Sequence, residues 1–263
     1  MRDPREGVTS DGLIVTGVDR AAVPPAFEPV LAALRQSLSG RPDVASYLYG
    51  SVATGEALTG SSDVDVLTIG LPTDEATAIG RELSTRFGGL CREVALAPAQ
   101  PDELVGDDDP AYGLRVFVRH YCVHLDGPDH GRHLTRFPAD ARAARGFNGD
   151  IHSHLQRWRT QSPQQDPAAL GRRVARKTLL ATAGLVSVLD TTWTTDRERA
   201  VELYLGHRSE RTGELLTLLG WSTGATTAEP GALAVALAPE GIVDQIVAEF
   251  RDVVGLWPAT SAP

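Results

Sequence analysis

Residues 49–70 read YGSVATGEALTGSSDVDVLTIG and contain two features of different chemistry. Gly50 and Ser51 directly follow one apolar run, and the next apolar run opens with Asp63 and Asp65. Because side chains two apart on a strand point to the same face, both carboxylates are predicted to emerge together. The valines that alternate with them then point to the opposite face and can enter a core.

Two carboxylates side by side repel each other, and a hard cation between them removes the repulsion. Mg²⁺ prefers carboxylate and phosphate oxygens, so Asp63 and Asp65 are typical of a magnesium site completed by substrate phosphates. Gly50 permits close approach of the backbone, and Ser51 offers a hydroxyl and an N–H group to a phosphate oxygen. The letters ATGEAL, from Ala53, predict the start of a helix whose positive end faces the same anion.

A third carboxylate follows in CREVALAP, where Glu93 alternates with Val94 and Leu96 on another predicted strand. If that strand lies beside the strand of the two aspartates, Glu93 joins them. Three acids from two strands are what a two-metal phosphoryl-transfer site requires. A P-loop is a rival interpretation of GEALTGSS, but Ser61 stands where the loop needs lysine, and a strand follows instead of a helix.

The hydrophobic periodicity predicts an α/β fold followed by a helical one. Predicted strands cover 44–49, 64–69 and 92–96, the last closed by Pro98, with a short extended piece before 126. Predicted helices cover 27–38, 76–87, 151–158, 172–189, 196–206, 209–220 and 240–254, and a further helix is predicted in the first part of 112–125. We therefore expect an α/β N-terminal domain with a small mixed sheet over residues 1–137, and an all-α helical-bundle domain over 138–263.

Composition narrows the class of protein further. The chain has 25 basic and 34 acidic residues, a net charge of −9, which disfavours long nucleic acid as a partner and is compatible with a cationic substrate. Two cysteines are too few for a disulfide framework or a zinc site. No uninterrupted run of transmembrane length and no signal sequence are apparent, so we expect a cytoplasmic protein without a membrane partner.

The order strand, Gly-Ser, short helix and Asp-x-Asp strand resembles the nucleotidyltransferase superfamily that includes DNA polymerase β. The helical second domain and the turn HLDGPD resemble aminoglycoside adenylyltransferases of the streptomycin/spectinomycin type. This resemblance implies that Asp63 and Asp65 bind two Mg²⁺ ions and that Glu93 is the third carboxylate and general base. It further implies that Ser51 and Ser62 contact the phosphates of ATP.

The resemblance also assigns two residues of the helical domain. Trp158 matches a tryptophan that lines the drug site, and Lys177 matches a basic residue that reaches the ATP phosphates. Each has a plainer alternative: Trp158 shares a helical face with Ile151 and Leu155 and can be core, and Lys177 can be a surface lysine with a buried stem. The acid that follows the family's tryptophan has no firm match here, with Asp166 as the nearest candidate.

These residues together predict a Mg²⁺-dependent O-adenylyltransferase that moves AMP from ATP to a hydroxyl of a small acceptor, an aminoglycoside antibiotic above all. Three alternatives stay open at this point. The acceptor can be another natural product, a tRNA or a protein, as in toxin-like nucleotidyltransferases. A non-catalytic nucleotide-sensing module is the remaining alternative, although such a module has little need of all three acids.

Overall fold

The computed structural model describes residues 3–258, so the ends of the two predicted domains, residues 1–2 and 259–263, lie outside the described residues. The strands are β1 (Gly7–Val8), β2 (Ile14–Val15), β3 (Ala45–Tyr49), β4 (Val64–Ile69), β5 (Val94–Ala99) and β6 (Val123–Asp126). The helices are α1 (Glu28–Leu38), α2 (Gly50–Thr54), α3 (Thr73–Arg86), α4 (Asp109–Tyr121), α5 (Ala141–Asn148), α6 (Ile151–Gln161), α7 (Pro167–Leu189), α8 (Arg197–His207), α9 (Thr212–Thr223), α10 (Pro230–Leu237) and α11 (Ile242–Val253).

The chain divides into two compact units. The first unit comprises the residues up to Glu6 and the segment Ile14–Phe137, and the second comprises Gly7–Leu13 and the residues from Pro138 on. That Gly7–Leu13 groups with the second unit was not predicted, since no local pattern in these residues indicates it. That each unit folds as an independent domain stays a prediction.

The first unit is built on a mixed sheet, as predicted. Its strand order is β5-β4-β3-β6, with β3 antiparallel to β4 and β6, and with β4 parallel to β5. The predicted end of the third strand at Pro98 is wrong, because β5 continues to Ala99. A proline lacks the N–H donor that a central strand needs, and β5 lies at the sheet edge, where that loss is tolerated.

The alternation along β4 separates two apolar clusters. Val64 and Val66 are fully buried with side chains of α1 and α3 on one face of the sheet, which confirms their predicted place in the core. Leu67 and Ile69 pack on the other face, together with Val118 of α4. The aspartates that open the strand share this second face, since they lie an even number of residues before Leu67 and Ile69.

The second unit is helical, as predicted. Its central helix, α7, contacts α5, α6, α8, α9, α10 and α11. A helix that is apolar nearly all round is stable only when other elements surround it. The predicted start of α7 at residue 172 is five residues late, because Asp166 caps the helix by accepting a hydrogen bond from the Ala169 amide at 2.8 Å.

Two helices of this unit, α5 and α10, were not predicted. The apolar residues of α5 are mainly alanines, which leave a weak periodicity, although Asp140 caps the helix at the Ala143 amide and was a usable signal. Helix α10 begins with Pro230, a residue favoured in the first turn of a helix. The residues at the helix starts therefore indicate these two helices, whereas the spacing of hydrophobic residues does not.

One stretch, Pro230–Val253, is long and apolar enough by length and composition alone to cross a membrane, with a mean hydropathy of 1.4. The sequence analysis expected no such run. The structure divides the stretch into α10 and α11, which pack against each other and against α7. Core helices of soluble proteins pass the same composition test, so the finding is weak evidence for a membrane span.

Replacing Gly127, which follows β6, with alanine is expected to destabilise the first unit. Gly127 has a φ of +78°, and a Cβ atom there would overlap the Val44 carbonyl oxygen and lie 2.8 Å from its carbon. Gly40 has a φ of +86° with no atom within 4 Å of the same position, so Gly40→Ala is the matched control. We expect a loss of about 1–2 kcal/mol for Gly40→Ala and ~3 kcal/mol or more for Gly127→Ala in urea unfolding. Equal losses would contradict this assignment.

Candidate functional site

The pairing of β4 with β5 brings the three predicted carboxylates to one end of the sheet. Val64 lies opposite Val94, and the Val64 amide donates a hydrogen bond to the Glu93 carbonyl at 2.8 Å. Asp63 and Glu93 each precede these partners by one residue, and Asp65 lies opposite Ala95. The expected neighbourhood of the two strands is therefore present, and all three acids share the sheet face that carries Leu67.

The electrostatics of Asp65 show that the three acids lie within reach of one another. Burial, followed by the negative charges of Asp63 and Glu93, raises the pKa of Asp65 to about 6, although the positive charge of Arg92 opposes this rise. Like charges in a half-buried site favour the neutral carboxyl. This cluster of Asp63, Asp65 and Glu93, called here the carboxylate cluster, thus holds more negative charge than its surroundings compensate.

Arg92 is the cation closest in sequence to this cluster, and sequence reasoning gave it no role. Its Nε donates to Asp63 Oδ1 at 2.9 Å, and its Nη2 donates to Oδ2 of the same carboxylate. The guanidinium therefore makes a bidentate contact with the Asp63 carboxylate, a planar geometry that only an arginine side chain provides. The Arg92 side chain is 65% exposed, whereas that of Asp63 is 22% exposed.

The Gly-Ser pair lies at the same end of the sheet. Tyr49, the last residue of β3, lies opposite Asp65, and Gly50 turns the chain with a φ of +75° into α2. Ser51 is buried in the first turn of this short helix. The predicted helix start at ATGEAL is wrong, because the helix begins at Gly50 and ends where Gly55 adopts a φ of +83°.

Tyr49 adds an aromatic group beside the cluster that sequence reasoning missed. Burial raises the pKa of the Tyr49 hydroxyl, and the charge of Asp65 raises it further. The Tyr49 ring meets Phe117 of α4 edge to face at 5.1 Å between ring centroids. The hydroxyl therefore stays protonated at neutral pH, and it lies on the face of the sheet that carries Asp65.

Ser62 precedes the aspartates in a hydrogen-bonded turn. Its Oγ accepts a hydrogen bond from the Leu58 amide at 2.9 Å, and its carbonyl accepts one from the Arg92 amide at 3.0 Å. The hydroxyl thus has a local structural role. Its predicted contact with a nucleotide phosphate, like those of Gly50 and Ser51, stays a prediction.

In the second unit, Lys177 has partners of its own. Its Nζ lies 2.7 Å from Asp150 Oδ1 and donates to the Phe147 carbonyl at 3.2 Å. Burial acts to raise the pKa of Asp150, but the hydrogen bond with His154 and the Lys177 charge outweigh it and bring the pKa to about 2. Lys177 is therefore a half-buried cation on the helix α7, not a fully solvated one, and its contact with ATP stays a prediction.

Trp158 lies on the buried face of α6, together with Ile151 and Leu155. It is 5% exposed, and its ring centroid lies 5.3 Å from that of His154. Asp166, the nearest candidate for the family's second drug-site acid, caps α7. These contacts favour structural roles for both residues, and the acceptor-binding role of Trp158 stays a prediction.

Within residues 3–258, no three His, Cys, Asp or Glu side chains have the geometry to hold a metal ion. The donor chemistry of the carboxylate cluster nevertheless fits a hard cation, since its ligands are carboxylate oxygens with uncompensated charge around Asp65. Asp63 is instead engaged by Arg92. The cluster thus has the ligand types of a magnesium site, with one ligand held by an internal cation.

Replacing Asp65 with asparagine is expected to stabilise the metal-free protein at pH 8 and not at pH 4. Between about pH 4 and pH 6 the folded protein keeps a proton on Asp65 that the unfolded chain, with its ordinary pKa of 3.8, has released. The free energy of unfolding therefore falls as the pH rises from about 4 through about 6. Urea unfolding with a chelator present should give Asp65→Asn an advantage of about 1–3 kcal/mol at pH 8.

The exposed Asp43, in the same unit, provides the control variant Asp43→Asn for this measurement. An advantage of Asp65→Asn that is equal at pH 4 and pH 8 would show that the burial and repulsion around Asp65 are assigned wrongly.

Comparison with known proteins bears on this arrangement. Residues 30–94 match the family model described as a nucleotidyltransferase domain. No protein of curated function matches the sequence. Among solved structures, the chain is similar to a spectinomycin adenyltransferase AAD(9) from Enterococcus faecialis, with 13% identity, a TM-score of 0.49, and coverage of 87% of this chain and 98% of that one. The matched segment contains β3, β4 and all three carboxylates, so this part of the chain is similar to a nucleotidyltransferase domain.

Proposed function

We propose that this protein is a Mg²⁺-dependent O-adenylyltransferase that transfers AMP from ATP to a hydroxyl of a small molecule. The observation that carries the proposal is the β4–β5 pairing, which places Asp63, Asp65 and Glu93 on one face beside the Gly50–Ser51 turn. This arrangement lies inside the segment that matches the nucleotidyltransferase domain. A nucleotidyltransferase needs carboxylates that bind metal ions close to groups that donate hydrogen bonds to the nucleotide phosphates.

Asp63 and Asp65 are the residues that would hold two Mg²⁺ ions, with Glu93 as a further ligand. Bound Mg²⁺ neutralises triphosphate charge and stabilises the oxygens that attack and leave. The fit rests on the charge of the cluster: burial and the charges of Asp63 and Glu93 raise the pKa of Asp65 despite the opposing charge of Arg92. A ligand set with this excess charge binds a dication more favourably than a neutral set would.

The protein's own groups account for the remaining steps of the transfer. Glu93 accepts the proton of the acceptor hydroxyl while the oxygen of that hydroxyl forms a bond to the α-phosphorus. The bond from the α-phosphorus to the oxygen that bridges to the β-phosphate breaks, and pyrophosphate leaves with that electron pair. The N–H groups at Gly50 and Ser51, with the hydroxyls of Ser51 and Ser62, hold phosphate oxygens during this displacement.

We assign two roles to the helical unit. The family resemblance assigns Lys177 a contact with the ATP phosphates, and its ammonium, which also contacts Asp150 and the Phe147 carbonyl, supplies the positive charge for that contact. Trp158 shapes the acceptor pocket through the packing of α6. The acidic net charge of −9 supports a cationic aminoglycoside as acceptor, and we place the enzyme in the cytoplasm, where ATP and Mg²⁺ are available.

The test is pyrophosphate release with Mg²⁺ and each of the four nucleoside triphosphates, against streptomycin, spectinomycin and other hydroxylated antibiotics. We expect release that requires both ATP and one acceptor. Asp63→Asn and Glu93→Gln should each lower the rate by about 100-fold or more, since they remove a metal ligand and the proton acceptor. Glu82→Gln, an exposed carboxylate on α3, is the matched control and should leave the rate unchanged.

Equal rates in Asp63→Asn and Glu82→Gln would contradict the assignment of the cluster. ATP binding without release across the whole panel would exclude these antibiotics as acceptors and direct the same assay to other metabolites, tRNA and proteins.

A further inference from the structure

Arg92 is bound to a residue that the proposed function needs for a metal ion. Its guanidinium donates from two nitrogens to the two oxygens of Asp63. The Arg92 guanidinium therefore occupies Asp63 as a positively charged partner that belongs to the protein itself.

The backbone around Arg92 is held beside the aspartates by hydrogen bonds, while its side chain is open to water. The Gly60 amide donates to the Leu90 carbonyl at 2.7 Å, the Arg92 amide to the Ser62 carbonyl at 3.0 Å, and the Val64 amide to the Glu93 carbonyl at 2.8 Å. These bonds extend the β4–β5 pairing past the strands. The side chain, however, is 65% exposed, and ion pairs this open to water contribute only about 0–1 kcal/mol.

We propose that Arg92 competes with the divalent cation for Asp63 and so makes metal binding depend on the nucleotide. The inference rests on the proposed function. A dication that coordinates Asp63 lies beside the guanidinium fork, and the two positive charges repel each other. Arg92 must then leave Asp63, which costs little because the pair is exposed.

The nucleotide supplies what the displaced guanidinium lacks, an anionic partner. Arg92 is bonded through its backbone to Ser62, one of the residues assigned to the phosphates. A triphosphate held there offers oxygens that match the guanidinium fork as well as a carboxylate does. A metal ion alone thus competes with Arg92 for Asp63. When a triphosphate is also bound, the metal ion can bind Asp63 while Arg92 binds phosphate oxygens.

The experiment measures Mn²⁺ binding from the loss of the free-ion electron paramagnetic resonance signal. Without nucleotide, we expect Arg92→Gln to bind Mn²⁺ about 3–5-fold more tightly than the unmodified protein, the upper part of the range that the loss of an exposed ion pair allows. Arg92→Lys keeps the charge without the fork and should give an intermediate affinity. With a non-hydrolysable ATP analogue present, the advantage of Arg92→Gln should disappear or reverse.

Arg41→Gln is the matched control, since Arg41 forms an exposed ion pair with Glu75 in the same unit, apart from the cluster. It should bind Mn²⁺ as the unmodified protein does. If Arg92→Gln folds poorly, the charge-retaining Arg92→Lys still tests the competition through its own gain in affinity.

Two results would overturn the inference, and they are distinguishable. Mn²⁺ binding that is weakened by Asp63→Asn but equal in the unmodified protein, Arg92→Gln and Arg92→Lys would refute the competition and leave the proposed function standing. Failure of the unmodified protein and of Arg92→Gln to bind Mn²⁺, with or without the nucleotide analogue, would refute the metal site of the proposed function and the inference with it.

Discussion

The parallel pairing of β4 with β5 forces like charges together, and much of the first unit serves to maintain it. Val64 and Val66 anchor β4 in the core under α1 and α3, while Val94 does the same for β5. Once these valines are buried, the alternation of the two strands leaves Asp63, Asp65 and Glu93 no other face to occupy. Apolar packing on one side of the sheet thus concentrates negative charge on the other.

That charge is costly without a cation, and the protein compensates for only part of it. Arg92 pairs with Asp63, while burial and the charges of Asp63 and Glu93 still raise the pKa of Asp65. Uncompensated charge at a strand end is common where a site is organised for a ligand at the expense of stability. A divalent cation bound together with a triphosphate would neutralise the negative charge of the carboxylate cluster that Arg92 leaves unpaired.

The predictable part of the site was the part that depends on local alternation. The positions of Asp63, Asp65 and the valines follow from a period of two, and the place of Glu93 required only that the two strands be neighbours. Arg92 could not be assigned in this way, because its contact with Asp63 depends on the register between segments about 30 residues apart. The start of α2 was misjudged since Gly50, with its positive φ, begins the helix directly at the strand end.

Elements of the second unit were predicted where apolar residues were large and regularly spaced, as in α7, and missed where alanine dominates, as in α5. The ion pair of Lys177 with Asp150 joins two helices and has no sequence signature, so its lysine could be matched only through a family resemblance. The membership of Gly7–Leu13 in the second unit is likewise a tertiary property. The hydrophobic periodicity predicts individual helices and strands, but it does not predict which other elements they contact.

The central claim, that the carboxylate cluster is a metal site for nucleotidyl transfer, is tested most directly by crystals grown with Mn²⁺ and a non-hydrolysable ATP analogue. Anomalous scattering locates the ion without reference to the protein's assigned function. We expect Mn²⁺ bound by carboxylate oxygens of Asp63 and Asp65, at about 2.0–2.2 Å, the distances of small hard cations, with the α-phosphate beside it. An anomalous peak elsewhere, or nucleotide bound away from these aspartates, would contradict it.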